Sequence, residues 1–148
     1  MGRSRSKAPA AAVKAFAVEA ARLCADRRCD DVVVFDVRGQ SQVCDYIIVA
    51  SGTSDRQMRS VAQELKELGR EHDHPVFRTS ADDGGTWIVA DCVDVVVHLF
   101  EPDQRLYYDI ESLWMTAPRV PWKRPEDALP PAKIGARSAG RGKAAAAE

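Results

Sequence analysis

The sequence predicts an α/β protein in which helices flank a mixed β-sheet in a two-layer or sandwich arrangement. Three observations carry this. Apolar residues recur at helical spacing in separate segments, short β-branched runs fall between them, and 148 residues, 45% hydrophobic, suffice for one buried core and not two.

Val13, Phe16, Ala17, Ala20, Leu23 and Cys24 form one apolar stripe, which predicts a helix from about Pro9 to Asp26 lying on the sheet. Asp31 to Val37 and Asp45 to Ala50 read as strands joined by a turn at Gly39. Met58, Val61, Ala62, Leu65 and Leu68 return to helical spacing as far as about His72, with Pro75 closing the segment. Trp87 to Asp91 and Asp94 to Phe100 predict two further strands, and the Cys92-Val93 link is short enough for an antiparallel hairpin. Pro102 suits the first turn of a helix running through Trp114. Beyond Pro118 the chain turns to Pro, Ala, Gly, Arg and Lys. This predicts one domain over residues 9–118, a basic tail over 1–8 and a disordered basic tail over 119–148.

Charge is divided along the chain. From Pro9 to Trp122 there are 12 Lys and Arg against 19 Asp and Glu, a net of −7, while residues 1–8 and 123–148 carry +3 each. An acidic body suggests a basic partner and argues against the domain gripping nucleic acid, which needs clustered cations. Cys24, Cys29, Cys44 and Cys92 lack the close pairing used for zinc and suit reduced thiols in a cytoplasm. The apolar runs are too short for a membrane span.

The turn Ser51-Gly52-Thr53-Ser54 opens a helix, where unpaired N–H groups could receive a phosphate. Ser54 followed three residues later by Gln57 is also a capping box, and Asp55 in the first turn would repel an anion. The glycine arc and lysine of a phosphate loop are missing, as are closely paired carboxylates for a metal, so the cap is the reading preferred and no cofactor is expected. His72 and His74 beside Asp73 are expected as exposed helix-end histidines, not metal ligands. Cys92 and His98 lack an orienting third group and an oxyanion site, so a buried thiol and a strand histidine are expected, not a catalytic pair.

The unusual stretch is Ala81 to Met115, with eight carboxylates against the single arginine Arg105, and with Trp87, Tyr107, Tyr108 and Trp114. Aromatic anchors among carboxylates would suit a basic protein partner. Rings filling the core beneath a solvated acidic face would leave the same composition, and composition does not choose between the two.

The stretches DYIIVASGTSDRQMRSVAQEL, WIVADCVDVVVHLF and LYYDIESLW, in this order across roughly Val13 to Trp122, resemble the ribosomal silencing factor (Iojap-like) family. One departure is Val93, where many relatives have glycine. The resemblance implies a fold like a nucleotidyltransferase core without its catalytic carboxylates, and a factor that is not an enzyme. It implies docking on large-subunit ribosomal protein fourteen of the 50S particle, blocking small-subunit joining when nutrients are short, and a homodimer when free. On this reading Trp87, His98, Tyr108 and Trp114 are expected as ring contacts for that partner, and Asp91, Asp94, Asp109 and Glu111 as partners for its Lys or Arg.

Overall fold

A computed structural model describes residues 3–128. Its elements are α1 (Ala10–Asp26), β1 (Asp30–Asp36), β2 (Tyr46–Ser51), α2 (Asp55–Glu71), β3 (Arg78–Ala81), β4 (Trp87–Asp91), β5 (Val95–Phe100), α3 (Pro102–Tyr108), a 3-10 turn (Ile110–Trp114) and a short α4 (Pro125–Ala128). The strands form one sheet in the order β1-β2-β5-β4-β3. Only the central β2·β5 pair is parallel, so the sheet is mixed, as expected.

β2 explains the core. All six of its residues are buried, which is why it reads as a continuous apolar run and not as an alternation. One sheet face sends Val34, Ile48, Ala90, Val97 and Leu99 against Phe16 and Ala20 of α1 and Met58, Val61 and Leu65 of α2. The opposite face gathers Phe35, Ile47, Val49 and Phe100 into a second, smaller cluster. Among the described residues no long helix covers that face. Ile110, Trp114 and Ala117 close it in part.

Four expectations differ from the structure. β3 is an additional edge strand, and all four of its residues are exposed, so it lacks the apolar alternation that marks a half-buried strand. The helix expected from Pro102 to Trp114 stops at Tyr108, because Asp109 takes a left-handed conformation (φ 46°) and its N–H caps the Arg105 carbonyl at 2.9 Å. His74 is buried, with its ring stacked on Phe16 at 4.9 Å. The chain does not leave the domain at Pro118. The Pro118 carbonyl accepts from Asp36 N–H, Val120 N–H donates to Val34, and Trp122 Nε1 donates to Val32 at 3.0 Å, so this segment covers the outer edge of β1. The rest of the expected tail, residues 129–148, lies outside the described residues.

The β4–β5 link contains the departure at Val93. Its φ is +72°, and Asp94 N–H donates to Cys92 O at 2.9 Å across it. This is a γ-turn, a conformation costly for a β-branched side chain and free of that cost for glycine. Val93→Gly is therefore expected to raise stability by about 1 kcal/mol, measured as a higher urea midpoint at unchanged slope.

Candidate protein-docking face

The turn Ser51 to Ser54 is filled by the chain itself. Ser54 Oγ accepts the Gln57 N–H at 3.0 Å, and Gln57 Oε1 reaches back to the Thr53 N–H at 3.1 Å. Gln57 Nε2 donates to the Arg27 carbonyl at 2.8 Å, tying the helix start to the end of α1. Asp55 is paired with Arg59 and sits against Gly85, where an added Cβ would lie 2.3 Å from its carboxylate. Met58 occupies the space over Gly52 in the same way. The N–H groups of Gly52, Thr53, Gln57 and Met58 are all taken within the chain, and the Asp55 carboxylate stands in the first turn, so this arrangement terminates a strand and caps a helix. Among the described residues, no group of three or more His, Cys, Asp or Glu is placed to hold a metal ion.

Most of the candidate docking residues lie on or beside the sheet face opposite α1 and α2. Antiparallel pairing places Trp87 opposite Phe100 and Val89 opposite His98. The Trp87 ring stacks on Phe100 at 4.9 Å and meets Tyr108 at 4.7 Å, and its Nε1 donates to His98 Nδ1 at 3.2 Å. Trp87, His98, Phe100 and Tyr108 are thus one cluster, with Tyr108 on its open side. Burial lowers the His98 pKa to about 4, against a small opposing pull from Asp91, so the ring is neutral and accepts from the indole. Trp114 is half-buried and packs on the second core cluster, so it is part of the support of this face. Cys92 is buried too, which pushes its thiol up to about 12 and leaves it no nucleophilic role beside His98.

The carboxylates divide into two kinds. Asp109 is exposed at the break between α3 and the 3-10 turn, its carboxylate accepting from the Ser112 hydroxyl. Glu111, Asp91 and Asp94 are already engaged. Glu111 takes two bonds from Arg105, at 2.7 and 3.1 Å, and Arg105 also donates to Ser51 Oγ at 2.8 Å. Asp91 is held by Arg3, and Asp94 is buried beneath Arg5 and Ser6.

The structure adds residues absent from the expected set. Leu106, Tyr107, Leu113 and Met115 are each at least 70% exposed and fall within the ten residues from 106 to 115. They point outward because Arg105 and Ile110 take the inward positions of α3 and the 3-10 turn. One continuous helix through Trp114 would carry some of these residues into the core; the break at Asp109 is what exposes them. These large apolar side chains lie open to solvent between the exposed carboxylates of Asp103 and Asp109, an arrangement that docking surfaces share.

The pH response follows from two histidines shielded from water, the half-buried His98 and the buried His74. Both His98 and His74 have pKa values lowered by burial below the ordinary value near 6.5. The unfolded chain therefore binds more protons between about pH 6.5 and pH 4, so stability is full above that window and declines as pH falls through it. His98→Gln, which keeps an acceptor for Trp87, should flatten this decline in part, His74 supplying the remainder; thermal melts from pH 7.5 to 4.5 measure it.

The fold defines an α/β domain with a mixed five-stranded sheet, long helices on one face and a ring cluster on the other, and with no three-residue metal cluster among its described residues. Comparison with known proteins specifies it further. The chain matches the family described as ribosomal silencing factor during starvation over residues 10–147, and it belongs to that family. It is 39% identical over 99 residues to ribosomal silencing factor RsfS of Bacillus subtilis, covering 67% of this chain and 84% of the relative. A mouse protein named mitochondrial assembly of ribosomal large subunit protein 1 is 28% identical over 87 residues, 57% of this chain and 38% of its own length. Among solved structures, one from Chromobacterium violaceum is 28% identical with a TM-score of 0.64, covering 87% of this chain and 100% of that one. Another, from Bacillus halodurans, is 32% identical with a TM-score of 0.59, covering 74% and 96%. Val93, the departure noted above, sits at the strained γ-turn, and the candidate docking residues lie within the matched region.

Proposed function

We propose that the protein represses translation by binding the large ribosomal subunit and occupying space that the small subunit needs, with large-subunit ribosomal protein fourteen as its partner and nutrient limitation as the setting. The observation that carries this reading is the sheet face left half covered opposite the long helices. There the ring cluster of Trp87 and Tyr108 continues into exposed Leu106, Tyr107, Leu113 and Met115 beside acidic groups. An apolar centre supplies desolvated area, and an acidic surround steers a basic ribosomal protein into place. Steric occlusion requires no chemistry, in keeping with a turn at Ser51 to Ser54 filled by its own cap. Free in the cytoplasm, the protein is expected to pair with a second copy.

Sedimentation with separated subunits tests this. The protein should pellet with 50S and not with 30S particles, and saturating protein should slow subunit joining followed by light scattering. Joining at the normal rate with the factor bound would defeat the occlusion mechanism. A second reading, a large-subunit assembly factor using the same face, is favoured by the mouse relative's name; protein found mainly on immature particles would select it. Calorimetry with ATP, GTP and Mg²⁺ should give no heat, and binding heat would revive an enzymatic reading.

A further inference from the structure

The carboxylates at the β4–β5 turn are filled by the chain's own N-terminus. Arg3 clasps Asp91 with Nε at 2.7 Å and Nη2 at 3.1 Å. The same guanidinium donates to the carbonyls of Val43 at 3.0 Å and Val93 at 2.7 Å. Arg5 donates to Asp94 at 3.1 Å and pairs with Asp45. Ser6 gives Asp94 both its N–H, at 3.2 Å, and its hydroxyl. The result is a built receptor: three carboxylates and two backbone carbonyls read two guanidinium groups spaced one residue apart and a hydroxyl beyond them.

What holds the arm is almost wholly polar. Residues 3–7 are Arg-Ser-Arg-Ser-Lys, with no apolar side chain to anchor them, and the Arg5 side chain is 41% exposed. Ala8 is the first residue packed on the core, so the arm is tethered there and loses little by lifting away. The guanidinium groups of these ion pairs are partly open to water, so the pairs weaken with salt. Tethering, by raising the local concentration, keeps the site filled.

We propose that the corner formed by Asp45, Asp91 and Asp94 is a recognition site for an Arg-Xaa-Arg-Ser segment, occupied in cis by residues 3–6, and that a basic protein partner fills it only by displacing this arm. The first half stands on the contacts above; the second rests on the ribosomal reading. A phosphate on Ser6 would set two further negative charges against Asp94 and expel the arm.

Three measurements test it. In the wild-type chain, trypsin should cut after Arg3 and Arg5 slowly in dilute buffer and roughly tenfold faster at 0.5 M salt, because screening frees the arm; rapid cutting at both salts overturns docking without any variant having to fold. A fluorescent peptide of residues 3–8 should bind full-length R3Q/R5Q at least about tenfold more tightly than wild type, whose site is taken. Binding should vanish when Asp91→Asn is added or when the peptide carries phosphoserine at position 6. Equal binding to wild type and R3Q/R5Q overturns the site. R3Q/R5Q should also hold 50S particles more tightly than wild type. Unchanged affinity beside a positive peptide result overturns the competition alone, while failure of both chains to bind 50S particles overturns the ribosomal reading and the competition with it.

Discussion

Arg105→Ala is expected to lower stability by about 3 kcal/mol, the low end of the range for breaking a buried ion pair, because Glu111 keeps some solvent. Arg105 is buried, and one guanidinium joins three elements: it takes Ser51 Oγ at the end of β2 and both oxygens of Glu111 in the 3-10 turn, while standing on α3 itself. Removing it leaves the Ser51 hydroxyl buried and the Glu111 carboxylate facing a low-dielectric gap with no cation. Arg105→Lys should recover only part of the loss, since an ammonium cannot present two parallel N–H groups to one carboxylate and a third to the serine. Urea titrations would show the midpoint drop at constant slope. An alanine variant as stable as wild type would mean that the 102–114 segment is held by its apolar contacts alone.

This residue also shows where the sequence is legible. Both long helices and four of the five strands follow from periodicity, because each has one face or both faces against the core. β3 is invisible to that reasoning; its register with β4 is set by backbone pairing alone, and no side chain records it. In the acidic stretch, Arg105 looks like a stray cation among eight carboxylates, and only the fold shows that it neutralises Glu111 from within. The same holds for Asp91 and Asp94. Their partners Arg3 and Arg5 are some ninety positions away, a separation across which no local pattern reaches. The ring cluster is legible, since Trp87 and His98 lie on two apolar strands joined by a short link, and their pairing brings the two rings together. The exposed residues of the 106–115 segment are not, because everything about them depends on the left-handed turn at Asp109.

Leu113→Asp is expected to weaken binding to the large subunit by about 2–4 kcal/mol, roughly 30- to 1000-fold in Kd, while leaving the melting temperature almost unchanged. Leu113 is 70% exposed in the 3-10 turn, so its removal opens no cavity, and a surface substitution of this kind stays within about 0.5 kcal/mol of wild-type stability. The aspartate would place a desolvated charge at the apolar centre of the contact. Trp87→Ala provides the contrast. That indole is wedged among Phe100, His98 and Tyr108, and its loss should cost about 3–5 kcal/mol of folding as well as binding, so a weakened Trp87 variant alone cannot separate docking from collapse of the face. The pair does separate them. If the exposed segment is the contact, Leu113→Asp remains folded and stays in the supernatant when 50S particles are pelleted. If Leu113→Asp pellets like wild type while Trp87→Ala does not, the partner is held elsewhere and the ring cluster only supports the sheet.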